Sequence, residues 1–188
     1  MPAPDGPSPA PRLRSHIVAV GALIVTGALL AAACGGGNPK FTDPRLQTFP
    51  DLGRQHVNPG QPVTIYNSNP PTSGPHDPVP AQCGIYREEI PVEHLVHTME
   101  HAGVILYYQP EVFSQDEVSA LAALVTELLR DHHRLVMVPN RQIDYRIALT
   151  AWTTLLKLDQ FEPDTIRAFV RAYDGRFNPE DFPKGVGC

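Results

Sequence analysis

Three hydrophobic patterns succeed one another along this 188-residue chain, and each predicts a different kind of element. Residues 17–33 are apolar without a charge, up to Cys34 and the Gly35-Gly36-Gly37 tract. From 35 to 51 apolar residues are scattered without a period among Gly, Asn, Pro, Lys, Thr, Asp and Gln, which predicts an extended tether. Residues 63–66 read as a short strand after the Pro59-Gly60 turn signal. Prolines at 70, 71, 75, 78 and 80 exclude both helix and central strand from 67–80, leaving a long, stiff loop.

A 3.6-residue period then takes over. Pro91 suits a first turn, Glu93 the positive end of a helix dipole and Gly103 a C-terminal cap, so 91–103 reads as a helix with Leu95, Val96, Met99 and Ala102 on one face. At about 100° per residue, His94, His97 and His101 fall within about 60° of one another on a different face. A strand there would group His97, Met99 and His101 instead; either geometry leaves His97 and His101 on one side. Residues 104–108 are β-branched and aromatic, a strand stopped by Pro110. Ser114-Gln115-Asp116-Glu117 is a capping box, followed by a stripe of Val118, Leu121, Leu124, Val125, Leu128 and Leu129 to about Arg130. Residues 135–138 and 146–152 read as strands, with a further short apolar segment at 155–158. Pro163 opens a last helix that turns Ile166, Phe169, Val170 and Tyr173 inward and ends at Gly175. Strand, helix, strand, strand, helix is an α+β succession, which predicts one domain over 53–188 with a small mixed sheet. Its first three elements suit a crossover between two parallel strands.

The N-terminal pattern bears on location. A polar, Pro-rich stretch with Arg12 and Arg14, the apolar run, and small residues before Cys34 form an export signal over 1–33. Leu30-Ala31-Ala32-Ala33-Cys34 is similar to a lipoprotein signal, in which the cysteine takes a lipid, although Leu stands one place further out than usual. The alternative is an uncleaved anchor helix. Both place the domain on the extracytoplasmic face of the cell membrane, beyond a tether over 34–52.

Removing 1–33, with Arg12 and Arg14 against Asp5, takes the formal charge from −5 to −6. A mildly acidic chain without a Lys/Arg run has no electrostatic footprint for nucleic acid. Beyond the membrane itself, no protein partner is identified. With Cys34 lipidated, Cys83 and Cys188 form an even pair in an oxidising compartment, and a disulfide between them is expected. Closing so long a loop is worth about 4 to 5 kcal/mol in the chain-entropy model. The alternative for Cys83 is a thiolate metal ligand.

The chemistry concentrates in residues 69–103, which hold four of the eight histidines. Three motifs stand out around it: Tyr66 with Pro70-Pro71-Thr72-Ser73-Gly74-Pro75-His76; Gly84 and Tyr86; and His97 with Glu100-His101 and Gly103. Together with Ala148-Leu149-Thr150-Ala151-Trp152 they resemble the bacterial domain of unknown function family numbered 3105, over about residues 55–188. The resemblance implies an exported or membrane-anchored protein and brings no established activity. Members usually carry Glu-His-Gly, where this chain has Glu100-His101-Ala102-Gly103.

Residue types therefore carry the functional reading. Imidazoles at i and i+4 can hold one divalent ion from a single helix face, and His97 and His101 have that spacing. His76, at the end of the stiff loop, supplies a third ligand, with His56, His94, Glu100 and Met99 as conditional members. Three imidazoles suit zinc or Cu(II), and Met99 would add affinity for Cu(I) only if it faced the same way. Two alternatives stand beside a metal site. One is a cofactor-free structural or interaction lipoprotein, with the histidines as buried hydrogen-bond hubs. The other is a metal-dependent hydrolase with Glu100 as general base, although Glu100 precedes the second histidine instead of following the first, unlike HExxH proteases. His132 and His133 read as surface residues, and no GxSxG, P-loop, Rossmann glycine pattern or CxxC is present.

Overall fold

The computed structural model describes residues 39–131 and 133–181, with Met1 and Gly6. All of its elements belong to the unit Gly36–Cys188. Apart from Met1 and Gly6, the expected export signal over 1–33 lies outside the described residues, as do Cys34 and Cys188.

Six strands form one mixed sheet in the order β1-β6-β5-β3-β4-β2. In chain order they are β1 (Leu46–Thr48), β2 (Gly84–Ile85), β3 (Val104–Tyr108), β4 (Leu135–Pro139), β5 (Ile147–Ala151) and β6 (Thr154–Leu158). The helices are α1 (Val92–Glu100), α2 (Gln115–Arg130) and α3 (Pro163–Tyr173). The fold is α+β. β3 pairs in parallel with β4 across α2, as the spacing of those elements predicts, and antiparallel with β5.

Alternation within β3 explains why a five-residue strand can be buried throughout. Val104, Leu106 and Tyr108 face α2 and α3 in one apolar cluster, while Ile105 and Tyr107 face α1 in a second, with Leu95, Val96 and Met99. Covering both faces removes the need for a polar stripe. Each fully buried Leu or Ile contributes about 1.5–3 kcal/mol relative to exposure. At the start of α2, Ser114 Oγ accepts from the Glu117 amide and the Ser114 amide donates to Glu117 Oε2 at 2.9 Å, closing the capping box.

Where α1 ends, Gly103 N–H reaches back to Thr98 O at 2.9 Å and Ala102 N–H to Met99 O at 3.1 Å. Ala102 takes the left-handed φ of 68° that glycine usually supplies in this kind of cap. Gly103 cannot be replaced cheaply either, because a Cβ there would stand 2.8 Å from Thr98 O. The unusual Ala102 is thus accommodated in the geometry a glycine would take.

Three expectations change. The tether was expected to run through residue 52, but β1 pairs antiparallel with β6, and Phe41 packs on Phe169 at a centroid distance of 5.6 Å. A three-residue edge strand is too short to announce itself by alternation. Residues 63–66 form no strand, and the Val63 amide donates to Glu93 Oε1 instead of to a ladder. The apolar run at 146–152 ends as a strand at Ala151, because Trp152 and Thr153, the latter at φ 60°, turn the chain into β6.

Candidate functional site

The Pro-rich loop lies against α1 and the β5–β6 turn. Its Pro70, Pro71, Thr72, Ser73 and Gly74 are buried, and Thr72 O accepts from the Thr153 amide at 2.8 Å. Gly74, at φ 126°, packs where a Cβ would meet Leu52 and Tyr66 at 3.3 Å, so the loop can turn only there with glycine. The next segment, around residues 55–57, runs parallel to residue 76: the His76 amide donates to Gln55 O and the Val57 amide to His76 O, at 3.0 and 2.8 Å. This short bridge carries His56 to the side of His76.

α1 supplies the opposite wall. His97, Glu100 and His101 leave it on one side, as helical spacing requires. His56, His76, His97 and Glu100 each offer a ligand atom within 4.8 Å of those of the other three. His76, His97 and Glu100 are buried, whereas the His56 side chain is 47% exposed. The rings of His56 and His97 stack at 4.9 Å, and His76 stands at 4.9 Å from His97.

Hydrogen bonding fixes the ring orientation. His76 Nδ1 lies 2.7 Å from Gly74 O and His97 Nδ1 lies 2.7 Å from Asp77 O. A carbonyl oxygen only accepts, so both Nδ1 atoms carry hydrogen and, in the neutral rings, both Nε2 atoms present lone pairs. His76 Nε2 meets Glu100 Oε2 at 2.8 Å, and His97 Nε2 meets His101 Nε2 at 2.9 Å. Burial is the main influence pushing His97 and His101 below the ordinary histidine pKa, which favours the neutral, ligating form. Glu100 draws on two further cations from the exposed side, Arg54 at 3.5 Å and, when protonated, His56 at 3.8 Å.

The structure therefore brings His76 and His97 together with the conditional residues His56 and Glu100. His101 adjoins the group through His97 and faces Glu180 at 3.4 Å. His94 turns aside, its Nδ1 donating to Val79 O at 2.6 Å with the Asp77 carboxylate at 3.7 Å. Met99 is wholly buried in the apolar cluster and faces away from the imidazoles, and Cys83 is outside the cluster. Of the remaining histidines, His133 Nδ1 bonds Asp174 at 2.8 Å. Sequence reasoning missed Arg54 and Asp77. Asp77 accepts from the Gly60 and Val79 amides, which holds its carboxyl below the usual range, and so pins the backbone whose carbonyl orients His97. Trp152 meets His76 edge-on at 6.3 Å, its Nε1 donating to Asp51. An Asp next to a histidine-bearing loop was the one available signal.

No curated protein and no solved structure matches the chain. A family model described as "Protein of unknown function (DUF3105)" matches residues 56–185, and the chain belongs to that family.

Proposed function

We propose that this family member holds a divalent transition metal, zinc or Cu(II), through His56, His76, His97 and Glu100, the ion taking the His97 Nε2 lone pair that His101 Nε2 meets at 2.9 Å without it. The observation that carries this reading is the convergence of two Nε2 lone pairs and a buried carboxylate, with both rings oriented by backbone carbonyls. Metal-ligating histidines are characteristically held by their other nitrogen in this way. Four ligands placed tetrahedrally at ~2.1 Å bonds are ~3.4 Å apart, so ligand atoms lying within 4.8 Å of one another must draw in around the ion. The half-exposed His56 is the member free to do so. Burial of Met99 in the apolar core removes the thioether that would favour Cu(I).

Glu100 stands among the ligand atoms instead of across from them, which supports metal handling or sensing over hydrolysis. The domain is proposed to work on the extracytoplasmic face, anchored through Cys34 or an N-terminal helix and braced by a Cys83–Cys188 disulfide. Among the described residues no helix is long and apolar enough to cross a membrane.

A second reading is favoured by the 2.8 Å His76–Glu100 contact, a hydrogen-bond length at which a proton on Nε2 would satisfy both groups without an ion. Elemental analysis of untagged protein purified from its native compartment separates the two. Near-stoichiometric zinc or copper, lost in His97→Ala, is expected. Background metal together with no response of stability to chelation would establish the proton-bridged alternative.

A further inference from the structure

A cavity of about 320 Å³ lies on the other side of the same turn of α1, lined among others by Thr48, Ala102, Trp152, Tyr173, Arg176 and Phe177. That volume is at the lower end of ligand pockets, and the mixture of rings with a few polar groups is their usual composition. None of the cavity's lining residues belongs to the histidine cluster.

Its lining mixes aromatic rings with polar groups, Thr48, Thr153 and Thr154 among them. Trp152 is 5% exposed and stacks on Phe177 at 4.7 Å with the planes 2° apart, so the two form one slab. The small residues Ala102, Gly103 and Ala151 also contribute to the lining. Among the described residues Arg176 is the sole charged member of the lining, and no carboxylate lines it. The Arg176 guanidinium lies 5.0 Å over the Tyr173 ring and forms no salt bridge among the described residues. A cation held by a ring face keeps its N–H fork available, and that fork matches a carboxylate.

We infer that this cavity binds a small organic acid, one carboxylate on a compact planar apolar body, with Arg176 taking the carboxylate and the Trp152–Phe177 slab the body. One guanidinium balances a monoanion. A phosphate, carrying more charge, would need further cations or a nest of amides, and the lining offers a single arginine. The inference does not require a bound metal, because none of His56, His76, His97 and Glu100 lines the cavity.

The protein has a single tryptophan, and it is in the cavity wall, so intrinsic fluorescence reports on the site. Benzoate titrated into the full chain should give a saturable change in Trp152 emission, with benzamide, its neutral near-isostere, binding about 10- to 100-fold more weakly. Arg176→Gln should lower benzoate affinity by a similar factor while leaving benzamide and the melting temperature unchanged, since Arg176 is exposed. Arg176→Lys should restore part of the affinity. Absence of saturation by benzoate at millimolar concentration would overturn the inference, and so would equal binding of benzoate and benzamide or an effect of benzoate that survives Arg176→Gln. Inorganic phosphate competing as well as benzoate would overturn the assignment of ligand class.

Discussion

His76 holds Gly74 O with one ring nitrogen and faces the Glu100 carboxylate with the other, at 2.7 and 2.8 Å, while its side chain is wholly buried. A loop and a helix are thereby joined through a single imidazole, and Glu100 owes its tolerance in the interior to that ring. Replacing His76 by Ala should destabilise metal-free protein by about 3 kcal/mol, because a buried charge loses its nearest partner and only the more distant Arg54 and His56 remain. His56→Ala should change stability by no more than about 0.5 kcal/mol, since the side chain is half-exposed, yet weaken metal binding. Urea unfolding of both variants without metal, followed by zinc titration, checks this split.

Removing metal should lower the melting temperature of the wild-type protein. An ion present at about 100 times its dissociation constant adds about 2.7 kcal/mol, which for a chain of this size corresponds to about 5–10 °C. Scanning calorimetry before and after chelation measures it, and His97→Ala should show no such difference.

The C-terminal turn of α1 offers a test on stability alone. Ala102 occupies a left-handed conformation at φ 68°, costing about 1 kcal/mol that glycine would not incur. Ala102→Gly should therefore raise stability by about 0.5 kcal/mol after the larger entropy of the unfolded glycine chain is deducted. Gly103→Ala should lower it by about 1–3 kcal/mol, because the new Cβ would stand 2.8 Å from Thr98 O. Opposite signs at adjacent residues, read by thermal unfolding, are the expected result.

Acid should weaken the capping box of α2. The Ser114 amide and hydroxyl lower the Glu117 pKa below its ordinary 4.5, with Arg146 adding a smaller effect in the same direction. The unfolded chain then binds the proton more readily than the fold does. The contribution is complete above about pH 4.5 and fades as pH falls through the lower folded value. Ser114→Ala should cost about 1 kcal/mol at neutral pH and less in acid, where the interaction is already lost in wild type. Urea unfolding of both proteins across this range tests the sign.

Much of the fold was legible because its elements are long enough to show their period. The stripe from Val118 to Leu128 and the Ser114 box defined α2, and the β-branched run at 104–108 defined β3. β1 and β2, at three and two residues, were illegible, since neither can display alternation. The site was half legible. Helical spacing puts His97, Glu100 and His101 on one side of α1, and a proline-stiffened loop makes His76 a plausible neighbour. His56 joins them through a two-bond bridge with no sequence signature, while His94, only three residues before His97, is drawn away by Val79 O. Spacing along one helix places residues on a face, whereas contact between segments depends on backbone pairings that local pattern does not encode.

β1 and β2 are consecutive in the chain yet occupy opposite margins of the sheet. The segment between them must lace across the breadth of the domain, and it carries both His56 and His76. Its support comes from elements synthesised later: Thr72 needs the β5–β6 turn, and β1 needs β6. The lacing is thus a long-range closure completed after the sheet, and its amides should exchange with solvent by local opening before those of β3 and β4. An ion gripping its two histidines and α1 would act as a knot, slowing exchange over the whole traverse while leaving the central strands unchanged.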